Sequence, residues 1–460
     1  MKRLIFCFDG TWNKLLPDVA TNVVLTAASI DRIDPDGIPQ IIHYDEGVGT
    51  SELEQIRGGV FGYGLMDNVR EAYRFLVFNY DPGDEIFVFG FSRGAFSART
   101  FIGFIRHVGP LHRLHVGRID EAVALYEDRL KGKDGSAEAM RKFRAMYSDK
   151  VCIGQSDEDW RCSNVPNYVS GSAPLMTIKY LGVWDTVEAM GIPDIIPGSD
   201  WFNREYDYHD ASLDTFVENA RHAVAIDEGR KLFPVVRFDE VDELNASRGY
   251  NSSDDDAPYQ ERWFPGTHGS VGGGGDIRGL SDDALMWVLS GAKRAGLRLD
   301  TARGTRIHGL RPNPLAPLVN EADPEFSVTG LIKGDREGPH HLWQLSKSAI
   351  RRWRTPPVAL GGEAYRPGTL DHVKQELDAL GTWSFDSPTD LVAEEKVGIG
   401  DSLSKFAHKH YGDAELWPEI YEANQDRILD EDEIFPGLSV RIPRRYQERR
   451  SPIERFRRAE

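Results

Sequence analysis

The strongest constraint on what this chain can become is a set of short, almost uninterrupted apolar runs, each closing on Gly, Asp or Ser or running directly into them. They are Arg3–Phe8 (RLIFCF), Gln40–Tyr44 (QIIHY), Glu85–Phe91 (EIFVFGF), Thr177–Trp184 (TIKYLGVW) and Pro234–Phe238 (PVVRF). A strand with one wet face alternates apolar and polar residues, whereas runs apolar at both parities belong to a sheet covered on both faces. Helical periods lie between them. In Asn68–Asn79, Val69, Tyr73, Leu76 and Val77 share a face, and Gly94–Arg106 and Ser281–Ala295 are also helical, with Ser281 as the expected N-cap ahead of two acids. Strands alternating with helices predict an α/β fold with a mostly parallel sheet.

One of these strand–helix junctions carries a chemical signature. Glu85–Thr100 reads EIFVFGFSRGAFSART, so Gly90-Phe91-Ser92-Arg93-Gly94 is a GxSxG pentapeptide between an apolar strand and a helix. In that context the glycines allow a strained turn that lifts the serine hydroxyl out at the sheet edge. The helix following Ser92 aims backbone N–H groups at the place where an oxyanion would form, with Arg93 N–H foremost. Without the flanking elements, the same five residues are a glycine-rich turn with a capping serine.

Acyl transfer at Ser92 requires an acid and a histidine further along, in the order Ser, acid, His. Asp185 ends the strand Thr177–Trp184 and therefore sits at the same sheet edge; Asp194, Asp227 and Asp239 compete for the role. Among 13 histidines, His268 is distinctive because it lies in WFPGTHGSVGGGG, after an aromatic segment and before glycines that permit close packing. His222 and His308 are its rivals. His268 would act as general base and then general acid, with Asp185 fixing its tautomer. Asp9-Gly10-Thr11 follows the first strand. Gly10 or Thr11 is a candidate for the second oxyanion N–H, Asp9 would hold the loop, and a plain Asx-type turn is the alternative.

Composition excludes other classes of function. The chain has 460 residues, with 55 Lys plus Arg against 73 Asp plus Glu and a net charge of −18, which opposes a nucleic-acid partner. No run approaches the roughly 18 apolar residues of a membrane span. The N-terminal apolar stretch is stopped by Asp9, too early for a signal peptide, so synthesis in the cytosol is expected, with any export by a route that needs no such signal. Cys7, Cys152 and Cys162 have no CxxC spacing and imply neither a disulfide framework nor a zinc site. No metal-ligand motif is present, and Val271–Gly275 lacks the Lys-Ser/Thr of a phosphate loop, so no cofactor is expected.

The organisation read from these patterns places the sheet domain over residues 1–315. An amphipathic helical insertion at about 111–150, with Ala122, Leu125, Tyr126 and Leu130 on one face, would form a cap over an acyl pocket. A polar, acidic stretch at about 245–260 reads as a mobile loop. Residues 316–394, rich in Pro, Gly and charge, read as irregular extension and linker. A small module would occupy 395–445 and a basic tail 446–460.

Taken together, FCFDGTWN, FVFGFSRGAFSART, YLGVWDTV and WFPGTHGSVGGG resemble an uncharacterised α/β-hydrolase domain family related to type VI secretion lipase effectors of the phospholipase class. The resemblance implies a Ser–Asp–His hydrolase, and its motif positions fall on Ser92, Asp185 and His268. Relatives often carry Asp two residues after the histidine, where this chain has Ser270. The tail, with GDSLSKFAHKHYGD, LWPEIYEAN and IFPGLSVRIP, resembles a LysM module: strand, two short helices, strand, closed by Leu403, Phe406, Ala407, Trp417, Ile420, Tyr421 and Val440. That resemblance implies glycan binding, with Asp401, Ser402 and the Asn424–Ile428 region as the contact sites, or a role as an adaptor to a secretion machine. The expected activity is hydrolysis of a carboxylic ester, lipid or phospholipid. The alternatives are a glycan-binding or adaptor protein with a silent hydrolase domain, and a polysaccharide acyl esterase.

Overall fold

The computed structural model describes residues 1–10, 20–47, 61–187, 212–231, 233–300, 310–319, 333–385, 387–428, 431 and 434–445, with residues 61–64 described for their backbone alone. Six strands form one sheet: β1 (Arg3–Phe8), β2 (Gln40–Asp45), β3 (Glu85–Phe91), β4 (Tyr180–Trp184), β5 (Ala220–Ala225) and β6 (Tyr259–Phe264). Their order is β2-β1-β3-β4-β5-β6 and every neighbouring pair is parallel. The register pairs Phe8 with Gly90, Phe91 with Trp184 and Trp184 with Ala223. The carboxyl ends of β1, β3, β4 and β5 therefore lie along one edge, and the β1/β3 pair is the switch point where open α/β sheets take their ligands.

The near-continuous apolar runs have the expected cause. Along β1, Leu4, Phe6 and Phe8 join one core cluster with residues of α2 (Phe61–Asn79) and α3 (Arg93–Val108). The opposite face is covered by α1 (Asn22–Ala28) and by the later helix Gly279–Arg294, whose Ala284 and Val288 carbonyls accept from Trp184 Nε1 and Tyr180 OH. In that later helix, Ser281 lies inside the first turn, where its hydroxyl donates to Arg278 O, and does not cap it.

Two strand expectations are corrected. Pro234–Phe238 is not a sheet strand: Val235 bridges Val187 and Val236 N–H donates to Thr186 O beyond the end of β4. Pro234 offers no N–H to a ladder. The position belongs instead to β5, ARHAVA, whose Arg221 and His222 interrupt the apolar pattern. Both are buried, with Arg221 donating to Trp287 O and its guanidinium lying 4.8 Å from the Trp287 ring centroid.

The helical insertion is not a cap. Helices α4 (Ile119–Leu130) and α5 (Ser136–Tyr147) pack at the far end of α3, where the Tyr126 ring meets Phe104 and His107 and Arg144 donates to His107 O. Arg113 pairs with Asp81, which precedes β3. Phe104 and His107 follow Ser92 by 12 and 15 residues of α3, so these contacts lie about 18–22 Å along the helix from it. The apolar stripe Ala122, Val123, Tyr126, Met140 and Phe143 is buried there against Phe104 and Val108.

The stretch at 245–260 is tied down. Asn245, fully buried near the end of α6 (Val241–Ser247), donates to Tyr259 O and Ser252 Oγ and accepts from Tyr259 N–H. Residues 316–394 are likewise no mere linker, since 311–382 belong to the same compact unit as 1–300. Two further helices carry that stretch: the helix Lys347–Arg354 and the short helix Lys374–Ala379. Leu345, Ala349, Trp353, Tyr365, Leu370, Val373 and Leu377 form a second core with Val224, Ile226 and Trp263.

The other unit comprises residues 301–310 and 383–460. Its strands Leu391–Lys396 and Ser439–Pro443 pair antiparallel, and the helices Leu403–Tyr411 and Trp417–Glu422 lie between them in sequence. Leu403, Phe406, Ala407, Ile420, Ile428, Val440 and Ile442 are buried, while Trp417 and Tyr421 are half-buried.

Candidate active site

Ser92 stands where the pentapeptide requires it, between β3 and α3, with φ 60° and ψ −128°. Its two glycines answer to close approaches. A Cβ on Gly90 would lie 2.6 Å from Ala95 Cα and Gly94 O, and one on Gly94 would lie 2.3 Å from Phe8 O and 2.4 Å from Asp9 O. The elbow is therefore seated directly against the end of β1.

Asp185 follows β4 with φ 37° and is fully buried. His268 opens a short helical turn (His268–Gly272) after β6. Its Nδ1 lies 2.6 Å from Asp185 Oδ2 and its Nε2 lies 2.8 Å from Ser92 Oγ. An ionised carboxylate only accepts, so in the neutral ring Nδ1 carries the proton and Nε2 is left to accept from the serine hydroxyl. Phe91 and Phe233 flank the imidazole, with centroids 4.7 and 5.5 Å away. The glycine run fits the same space, since a Cβ on Gly272 would fall 2.0 Å from the Phe91 ring. Ser270 donates to Leu318 O at 2.7 Å and fastens the loop.

The remaining candidates have other places. Asp9 accepts from Gly10 N–H, Thr21 Oγ1 and Tyr44 OH, and so ties the ends of β1 and β2 to Thr21. Gly10 N–H is thus turned onto Asp9 Oδ1 at 2.7 Å, while Thr11 lies outside the described residues, as do Asp194 and His308. Arg93 begins α3, with its backbone adjoining Ser92. His222 does not face Ser92. Its Nε2 accepts from Thr186 N–H and its Nδ1 bonds Glu261 Oε2, so it supports the turn that carries Asp185. Asp227 accepts from Gly266 N–H and Tyr365 OH, and Asp239 is exposed.

Electrostatically the site is a chain of compensated charges. Burial would raise Asp185, but the Arg336 guanidinium and the His268 hydrogen bond outweigh it and hold the carboxyl far below the usual range. Burial would also raise Glu228, but its pair with Arg230 holds it down, and Glu228 Oε2 accepts from the backbone N–H of His268 at 3.3 Å. Arg336 is the residue that sequence reasoning missed. It is a single arginine in a Pro- and Gly-rich stretch, and no local spacing links it to Asp185, 151 positions away. Among the described residues, no group of three His, Cys, Asp or Glu is placed to hold a metal ion.

In the other unit, the four candidate glycan-contact residues have structural work. Asp401 accepts from Gly398 N–H, and Ser402 caps the following helix through Lys405 N–H. Asn424, fully buried, donates to Ile420 O and Arg441 O and accepts from Arg441 N–H. Ile428 is core.

Residues 2–291, more than half of the chain, match the family described as the type VI secretion system (T6SS) phospholipase effector Tle1-like catalytic domain. The chain belongs to that family. The chain is also similar to an uncharacterised protein, YEL023C, of Saccharomyces cerevisiae: the match is 26% identical over 265 aligned residues and covers 52% of this chain and 33% of that one. A further 47 residues are 43% identical to the potassium binding protein Kbp of Escherichia coli, covering 10% of this chain and 32% of Kbp. The chain thus spans about a third of the length of the curated relatives it matches. Among solved structures, a Tle1 effector bound to the VgrG spike of the type 6 secretion system is similar at 17% identity. That match covers 59% of this chain and 51% of that one, with a TM-score of 0.31.

Proposed function

We propose that this Tle1-like protein hydrolyses carboxylic esters of lipids, phospholipids foremost, through an acyl-enzyme on Ser92. The observation that carries the reading is the continuous line from Ser92 Oγ through His268 to Asp185, at 2.8 and 2.6 Å, on a strained strand–helix elbow. His268 Nε2 takes the serine proton as Oγ attacks the ester carbonyl, and the resulting imidazolium is stabilised by Asp185. The tetrahedral oxyanion forms at the N-terminus of α3, where Arg93 N–H donates, a contribution worth about 3 kcal/mol per donor. Collapse expels the alcohol, protonated by His268, and water repeats the sequence to release the acid. Membership of the phospholipase effector family supports the lipid substrate and delivery by a secretion machine. No helix among the described residues is long and apolar enough to cross a membrane.

Labelling with a fluorophosphonate probe, followed by fatty-acid release from phosphatidylethanolamine/phosphatidylglycerol vesicles, tests the reading. Wild type is expected to label and to release fatty acid, and Ser92→Ala and His268→Ala to do neither. A wild type that folds but neither labels nor releases acid overturns it.

A further inference from the structure

We infer that Arg336 is a positioning residue for ester hydrolysis, acting through Asp185, and that residues 333–382, which lie beyond the family-matched residues 2–291, support the working site. This rests on the reading of Ser92, His268 and Asp185 given above. Asp185 accepts four hydrogen bonds, two on each oxygen. Oδ1 takes Ala225 N–H at 2.9 Å and Arg336 Nη1 at 2.6 Å, and Oδ2 takes His268 Nδ1 at 2.6 Å and Arg336 Nη2 at 3.0 Å. That fills the acceptor capacity of a carboxylate, and half of it is supplied by one guanidinium in the two-pronged geometry that only arginine offers. The guanidinium is itself aimed, since Nη1 also donates to Ala225 O and Nη2 to Phe233 O, and its side chain is only 6% exposed.

The surrounding backbone explains how Arg336 arrives there. Lys333 bridges Arg230, Gly334 N–H donates to Gly229 O, and a Cβ on Gly338 would fall 1.6 Å from Thr369 O. Thr369 Oγ1 in turn donates to Ile226 O, just beyond β5. The segment is threaded between the end of β5 and residues 368–369.

Two consequences follow for the chemistry. Asp185 has a backbone conformation unfavourable for a residue with a side chain, and its carboxylate stays turned toward His268 because Arg336 grips both oxygens. Arg336 also places a positive charge next to the carboxylate that stabilises the imidazolium, and so weakens that stabilisation. The other charged or titratable groups around the pair are Glu228 with Arg230 beyond β5, and His222 with Glu261 and Arg237 behind Thr186. Among the described residues, none of these donates to Asp185. Removing Arg336 frees the carboxylate to rotate, and displacement of a reacting group by about 1 Å costs on the order of 100-fold in rate. It also favours imidazolium, so the acid limb of the rate profile moves to higher pH.

The test is a double-mutant cycle on full-length protein with p-nitrophenyl butyrate, using wild type, Arg336→Met, Asp185→Asn and the double variant, alongside Arg336→Lys. Melting curves establish that each is folded. Arg336→Met is expected to lose about tenfold or more in kcat with KM little changed, and to shift the acid limb upward. Arg336→Lys should fall between it and wild type, and the double variant should be no slower than Asp185→Asn. Wild-type kcat and an unmoved acid limb in Arg336→Met overturn the inference, as do losses that multiply in the double variant. If Arg336→Met does not fold, Arg336→Lys decides on kcat alone, since it keeps the charge and loses the two-pronged grip: a wild-type kcat overturns the inference. An inactive, unlabelled wild type would sink the hydrolase reading itself, whereas an active wild type with an indifferent Arg336 sinks only this inference.

Discussion

At the scale of single residues, the elbow is held by contacts that leave no room for a methyl group. A side chain at Gly94 meets two backbone oxygens at the end of β1, which have no freedom to retreat. Gly94→Ala is expected to cost about 1–3 kcal/mol, seen as a lower denaturation midpoint, and to reduce fluorophosphonate labelling because Ser92 moves with the turn. Glu261 shows the acid side of the same economy of buried charge. Burial would raise its carboxyl, but the His222 hydrogen bond, the charge of Arg237 and the N–H of Phe238 bring it down to about 2. A carboxyl lowered by folding stabilises the native state above its ordinary value near 4.5 and loses that contribution as pH falls toward 2. Stability should therefore drop through that window, and Glu261→Gln should flatten the drop between pH 6 and pH 3 by roughly 2 kcal/mol in urea melts.

At the scale of elements, the amphipathic helices α4 and α5 buttress the far end of α3. Phe143→Ala is expected to lower the melting temperature, at a cost of about 3–5 kcal/mol, while leaving kcat and KM for a soluble ester as they were. A change in KM would restore the cap. Trp353→Ala, in the core built on Trp263, should cost a similar amount and slow hydrolysis as well, since it loosens the stretch that carries Arg336. These elements also mark how far the sequence could be read. The meeting of Ser92, Asp185 and His268 is legible because each follows a strand, and parallel strands bring their ends to one edge. Periodicity in 111–150 tells which face is buried but not what buries it. β5 is hidden because Arg221 and His222 are satisfied by partners about 40 to 70 residues away, at Glu261, Trp287 and Ser290. The 311–382 stretch is hidden for a related reason: its helices are too short for a period to show, and buried arginines such as Arg352, which donates to Pro314 O and Ala316 O, look like surface charge.

At the scale of the whole molecule, the chain divides into a Tle1-like unit with its extension and a smaller unit built around the strand pair Leu391–Lys396 and Ser439–Pro443. Each has its own core, so calorimetry should resolve two unfolding transitions. A chain ending at residue 382 is expected to keep wild-type kcat and KM on a soluble ester, while a chain ending at residue 330 should be inactive, because it lacks Arg336 and the core around Trp353. The grip of Arg336 on Asp185 also sets a clock. A ribosome must add 151 residues after the aspartate before its guanidinium exists, roughly ten to thirty seconds at ordinary elongation rates. Throughout that interval Ser92 and Asp185 are already made and His268 soon follows, yet the carboxylate has no fixed counter-charge. On the proposed reading, competence to cut esters is thus acquired late, as nearly the last act of synthesis of residues 1–382.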